Sequence, residues 1–268
     1  MKRILITGGA GGVATGLRPL LRPHYLVRLS DQRPVADLVA GEEEAPASLG
    51  DLAALRRAVA GCDGVVHLGG YAYEAEWETI LASNIVGVHN VFEAARLEGV
   101  RRIVFASSNH AMGFYPKAET IPVDVSVRPD SRYGLSKAFG EALGSLYADK
   151  YGAEVLSIRI GHVVAKPFDR RRLAIWISRR DLAQLIRIGL DHPDVKNDIV
   201  YGMSDNRRAW WTNERAEALG YRPVDRSEDY AAESLANDHS DMTGDPRADL
   251  NQGGEFCIVE KLAAVRTS

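Results

Sequence analysis

Five stretches of the chain are apolar without strict alternation: RILIT (3–7), YLVRLS (25–30), GVVHLGG (64–70), RRIVFASS (101–108) and VLSIRIG (155–161). Strands covered on both faces read this way, because neither face needs polar side chains for solvent. Between them, residues 12–22, 51–60, 76–98 and 131–151 carry helical spacing and fit crossover connections. The alternation predicts an α/β fold with a doubly wound parallel sheet, a Rossmann fold. A further strand belongs near EEEAPASLG (42–50), where Pro46 argues for an edge or a very short strand. The EEE run itself (42–44) reads as an exposed loop face.

Beyond about residue 160 the pattern loosens. A helix is expected at 178–190, a strand at NDIVYG (197–202) and another helix at 212–219. The stretch 237–254 is rich in Asp, Asn and Gly and reads as a long exposed loop. Residues 1–165 are expected to form the core, and 166–268 a small substrate-binding cap packed on it. With 268 residues, 46% of them apolar, the chain can bury one sizeable core. A net charge of -3 leaves no basic footprint for nucleic acid. Cys62 and Cys257 lie far apart, and no Cys, His or carboxylate spacing suggests a metal. Only ILIT precedes the first glycines, too short for a signal peptide, and no run approaches the roughly 20 apolar residues of a membrane span. These features fit a cytoplasmic protein without membrane partners.

The first strand runs into TGGAGGVATGL, where Gly8, Gly11 and Ala14 stand three apart. Glycines at a strand-to-helix turn let the backbone approach a pyrophosphate seated on the helix N-terminus. Asp31 lies 20 residues past Gly11, at the end of the second strand, where a carboxylate accepts hydrogen bonds from a ribose. A carboxylate there also repels a 2′-phosphate, so NAD is favoured over NADP. Coenzyme contacts are expected at Gly8, Gly11, Gly12, Val13, Asp31 and Gln32. Asp51 and Leu52 would stand near the adenine, with Asp51 equally suited to cap a helix. Leu68, Gly69 and Gly70 end a strand where bulk would block the coenzyme, and Ile160 ends another. His67 reads as a packed strand residue.

Tyr133 and Lys137 are four apart on an expected helix and share a face; Ser108 ends the strand 25 residues before the tyrosine. Removing a hydride from an alcohol carbon requires removing the hydroxyl proton as well. A phenol with an ordinary pKa near 10 is a weak base at neutral pH, and a neighbouring ammonium favours its phenolate. Ser108 would hold the reacting oxygen, and Asn84 would carry a water linking Lys137 to solvent.

TGGAGGVA, Asp31, HLGG, NIVGVHNVFEAA, VFASS and YGLSKAFGE together resemble the extended short-chain dehydrogenase/reductase superfamily. More narrowly, RIVFASSNHAMGFYP, RPDSRYGLSK, SIRIG, VYGMSDN and the WW pair resemble the bacterial uronate dehydrogenases. The resemblance implies NAD-dependent oxidation of a hexuronic acid at C1 to the aldarolactone, with Ser108, Tyr133 and Lys137 catalytic. It also implies that Asn109 and His110 bind sugar hydroxyls and Arg171 the sugar carboxylate, whose geometry suits a bidentate arginine. Arg170 and Arg172 read as surface. The family's serines are replaced by Ala72 and His162, two substrate-facing positions, so a sugar with a larger anionic end is an alternative substrate. A nucleotide-sugar epimerase or dehydratase uses the same set, but the C-terminal portion looks short for nucleotide recognition. A non-catalytic NAD sensor ranks last, because both Tyr133 and Lys137 are kept. Trp210 and Trp211 read as core packing. The long helices at 76–98 and 131–151 suggest a homodimer or higher homo-oligomer, by analogy with the superfamily.

Overall fold

The computed structural model describes residues 1–236, 238 and 243–260. The RILIT run becomes β1 (Arg3–Thr7), whose Ile4 and Ile6 enter one apolar cluster while Leu5 enters another. A strand buried on both faces is the physical meaning of its unbroken hydrophobicity. The other strands of the main sheet are β2 (Leu26–Ser30), β3 (Glu42–Glu44), β4 (Gly64–His67), β5 (Arg102–Ser108) and β6 (Glu154–Ile160). Two short strands, β7 (His162–Val163) and β8 (Trp176–Ile177), pair apart from it, and β9 (Asn197–Gly202) closes its far edge. All neighbours in the seven-stranded sheet are parallel, in the order β3-β2-β1-β4-β5-β6-β9. The strand order reverses between β1 and β4, which opens a crevice at their carboxyl ends.

Helices cover both faces. On one lie α1 (Gly12–Leu21) and, from late in the chain, an Arg179–Asp191 helix, packed on Ile4, Val104 and Leu156. On the other lie α2 (Leu52–Val59), the 77–97 helix and an Arg132–Tyr151 helix, around Phe92, Phe105 and Tyr147. The 77–97 helix is α3 (Trp77–Ile80) and α4 (Gly87–Leu97) joined by a π segment, Leu81–Val86, which the helical spacing did not foretell. The later helices are α5 (Arg132–Tyr151), α6 (Arg170–Ile175), α7 (Arg179–Asp191), α8 (Glu214–Ala218), α9 (Ala231–Ala236) and α10 (Pro246–Leu250). The segment after 165 thus serves two places. Its α7 and β9 join the main sheet, while other parts surround a third apolar cluster in which Trp211 stacks on Tyr201.

Two loop expectations are corrected. The EEE run is the edge strand β3, and the side chain of Glu42 is fully buried. Glu42 accepts from Arg18 Nε at 3.0 Å and from the Val39 amide at 3.2 Å, Glu43 pairs with Arg28, and Glu44 accepts from the Val35 amide. Partners elsewhere in the fold override the poor strand propensity of glutamate. Burial pushes the Glu42 carboxyl up, but Arg18, the Val39 amide and Arg22 outweigh it and hold its pKa below the ordinary range. This stabilisation is therefore present above the unfolded carboxylate range and is lost as pH falls. Replacing Glu42 by alanine strands the largely buried Arg18 and should cost about 3 kcal/mol. Urea unfolding at neutral pH measures it, and the variant should also lose part of the wild type's acid sensitivity.

The 237–254 stretch is only partly loop. Residues 237 and 239–242 lie outside the described residues; the rest includes α10 and the buried Gln252, Gly253 and Gly254. Among the described residues no helix is long and apolar enough to cross a membrane.

Candidate active site

A cleft of about 840 Å³ opens at the carboxyl ends of β1, β2 and β4. Gly8 turns the chain there with φ +72°, and a Cβ on it would fall 2.9 Å from the Cα of Gly69. Only glycine permits both that backbone conformation and that approach. Gly11 caps α1 without any side-chain hydrogen bond, and no acid stands in the first turn. The first amides of α1, at Gly12 and Val13, therefore border the cleft as unneutralised donors. Asp31 holds the turn, accepting from the Ala10 amide at 3.2 Å and the Arg33 amide at 3.0 Å. Gln32, Leu68, Gly69, Gly70 and Ala72 also line the cleft. Asp51 caps α2 by accepting from the Ala54 amide at 2.9 Å, and Leu52 is that helix's first residue. Ile160 pairs beside Ser108 at the end of β6.

Further predicted residues stand at the end of β5, the strand next to β4, and at the start of α5. Ser108 accepts from the His110 amide at 3.2 Å and so caps the single turn Asn109–Met112. Ser131 caps α5 through the Gly134 amide at 3.0 Å, which sets Tyr133 and Lys137 on the face toward β5. Lys137 Nζ donates to the Ala106 carbonyl at 2.8 Å and lies 5.4 Å from the centre of the Tyr133 ring. Burial pushes Lys137 down to about 8. Burial pushes Tyr133 up to about 12, while its hydrogen bond with Ser108 acts the other way. The sequence led us to expect a lowered phenol; in the chain alone, desolvation dominates.

Asn84 sits in the π segment. Its Oδ1 accepts from the Tyr71 amide at 2.7 Å and from Ser83 Oγ at 3.0 Å; its Nδ2 donates to the Tyr71 carbonyl at 2.8 Å and to Ser136 Oγ at 3.0 Å. Its bonds to Tyr71 and Ser136 tie the cleft wall at Tyr71 to α5.

Asn109 is buried, and its Nδ2 has no hydrogen-bond partner among the described residues. A buried donor of this kind calls for a ligand or a water. His110 Nδ1 faces Asp130 Oδ2 at 2.7 Å, and its ring stacks on Phe256 with centres 3.8 Å apart and packs edge-on to Tyr133. Arg171, buried on α6, donates to the Gln252 carbonyl from Nη2 at 2.9 Å and to the Gly253 carbonyl at 3.2 Å. Burial, helped by Arg172, pushes it down to about 10, which still leaves it charged at neutral pH. His162 stands with a different arginine: Arg172 Nε donates to its Nδ1 at 3.4 Å. Arg172 is itself half-buried, paired with Asp169 at 2.6 Å, whereas Arg170 is at the surface with Asp238.

The sequence profile of the NAD dependent epimerase/dehydratase family matches residues 4–212. The chain belongs to that family. It is 45% identical to a uronate dehydrogenase of Pseudomonas syringae pv. tomato, covering 95% of this chain and 92% of the relative. It is 46% identical to one of Pseudomonas putida, covering 96% of each. A mutant of the Agrobacterium tumefaciens uronate dehydrogenase complexed with NAD has a TM-score of 0.91 and 40% identity, covering 96% of this chain and 97% of that one.

The cleft of this family member fits NAD on its own geometry. The crossing at Gly8 and Gly69 admits no side chain, the α1 N-terminus is bare, and Asp31 stands at the end of β2. His67, in contrast, is buried against Thr7 Oγ1 at 2.6 Å and pushed down to about 3 by burial, as a packed strand residue should be. Three residues at the site escaped sequence reasoning: Asp130, Glu74 and Phe256. Glu74 Oε2 accepts from the Tyr133 amide at 3.0 Å and its Oε1 pairs with Arg132 at 2.8 Å. Asp130 lies within the RPDSRY motif, so a signal existed for it. Glu74 is placed by a loop and carries no local pattern, whereas Phe256 stands in the single turn Gly254–Cys257. Among the described residues no group of three or more His, Cys, Asp or Glu side chains is arranged to hold a metal.

Proposed function

We propose that the chain is an NAD-dependent oxidoreductase that oxidises a hexuronic acid, D-glucuronate or D-galacturonate, at C1 to the aldarolactone. Arg171 carries the choice of substrate: a buried, charged guanidinium feels Asp130, the carboxylate to which His110 is bonded, and so sets a positive charge near that histidine for recognition of a carboxylate. The similarity to uronate dehydrogenases over nearly the whole chain supports the same reading. Bound NAD supplies the hydride acceptor. Tyr133 removes the proton from the C1 hydroxyl, and Ser108 hydrogen-bonds the same oxygen. Lys137 holds positive charge beside the phenol and steadies its anion. Asn109 Nδ2 donates to a sugar hydroxyl. With Nδ1–H donating to Asp130, His110 keeps Nε2 to accept from another. Asn84 and Glu74 act as positioning residues for the cleft wall and for the start of α5.

Under this reading residues 1–165, completed by α7 and β9 from the later segment, carry the coenzyme, and the other described residues after 165 supply a small cap. Leu135 and Leu146 on α5, with Leu81, Val86 and Leu97 on the facing long helix, are exposed apolar side chains. They support a homodimer through these helices, and a cytoplasmic location fits the two buried free cysteines.

A substrate panel tests the function. D-glucuronate and D-galacturonate with NAD should give NADH at kcat/KM at least 100-fold above D-glucose and D-galactose, about the 3 kcal/mol of one charged contact. Turnover confined to sugar 6-phosphates or sulfosugars would move the anion preference, which the replacements at Ala72 and His162 make a specific alternative. Turnover of a UDP-sugar without net NADH would replace the reaction itself.

A further inference from the structure

We infer that Arg179, the first residue of α7, clamps the diphosphate of the coenzyme, an inference that rests on the NAD reading above. Arg179 follows the end of β8 by two residues, and α7 runs beside α1. Its side chain lies directly over Gly16, one turn into α1. A Cβ added at Gly16 would stand 2.2 Å from Arg179 Nε and 2.4 Å from its Cδ. From there it lines the cleft together with Gly11, Gly12 and Val13.

The guanidinium is not used by the fold. Arg179 is exposed, and among the described residues no hydrogen bond or ion pair holds it. Its neighbour Arg180 shows the contrast, being paired through Nε and Nη2 with Asp225. The other arginine lining the cleft, Arg33, is spent on Asp31 at 3.6 Å. A diphosphate brings about two negative charges to the start of α1, whose dipole supplies only about half a positive charge. An arginine fork held over the same turn supplies the rest and matches phosphate oxygens bidentately. Gly16 then has a definite purpose. In the middle of a helix glycine is a poor choice, yet any side chain here would displace the arginine stem.

Calorimetric titration of the full chain with NAD, ADP-ribose and adenosine tests the clamp. In R179Q, NAD and ADP-ribose should bind about 10- to 100-fold more weakly, the range for charge-assisted hydrogen bonds, and adenosine as in the wild type. The G16A variant keeps the charge but moves the arginine, so it should also weaken NAD, with a melting temperature at or above the wild type's because alanine favours helix. Wild-type affinity for NAD should fall with added salt more steeply than that of R179Q. Unchanged NAD affinity in R179Q, or an equal loss for adenosine, overturns the proposal. A wild-type chain that binds neither NAD nor ADP-ribose overturns the coenzyme reading, and the clamp with it.

Discussion

Replacing Tyr133 by phenylalanine is expected to lower kcat for uronate oxidation by about 10²–10⁴-fold, with NAD affinity nearly unchanged. Under the proposed function the phenol takes the C1 proton: it hydrogen-bonds with Ser108, stands 5.4 Å by its ring from the Lys137 ammonium, and packs against His110. In the chain alone burial holds it up to about 12, so neutral solution leaves nearly all of it protonated. The rate should therefore rise with pH, because each step upward enlarges the phenolate fraction. Lys137, pushed down to about 8 by burial, keeps its charge through neutrality and loses it above. Its support for the phenolate fades over the same range, which should flatten the alkaline limb. The profile of kcat/KM against pH, read as NADH formation, separates the parts. Lys137→Gln should move the rising limb to higher pH, while Y133F should flatten the profile at a low rate. A Y133F chain that keeps wild-type turnover would remove the tyrosine from the mechanism.

The sheet was legible because buried parallel strands announce themselves as apolar runs, and β1, β5 and β6 match their stretches within a residue or two. The third strand was located by its neighbourhood but misread by its residues. Three successive glutamates carry no strand signal, and Arg18, Arg28 and the Val35 amide decide their conformation from distant positions. The π segment has a similar cause. Its register is held by Asn84 reaching across to Tyr71 and Ser136, contacts that helical periodicity does not encode. The spacing of Gly8 and Gly11 did locate the tight strand-to-helix turn at the start of α1. Ser108, Asn109 and His110 are contiguous and were readable as a motif. The residues that orient them, Asp130 and Phe256, come from a loop and from the chain's last described turn. Distance in sequence hides such partners, and a one-sided reading of the 237–254 stretch as exposed loop hid the carbonyls of Gln252 and Gly253 from Arg171.

Removing the charge of Arg171 should abolish the preference for acidic sugars. In Arg171→Gln, kcat/KM for D-glucuronate is expected to fall about 10²–10³-fold, the cost of truncating one partner of a buried charge pair. The same ratio for D-glucose should change far less, because a neutral sugar never engages that charge. Arg171→Lys should recover only part of the loss, since an ammonium cannot reproduce the planar fork. The guanidinium also holds the Gln252 and Gly253 carbonyls at 2.9 Å and 3.2 Å, so some of the effect will reach Phe256 and the stacked His110. The two contributions separate by substrate: a displaced loop penalises acidic and neutral sugars alike, whereas a missing counter-charge penalises the acid alone. If Arg171→Gln keeps the wild-type ratio of uronate to hexose, the carboxylate must be bound elsewhere. The half-buried Arg172, with His162 against its Nε, is the next position to replace.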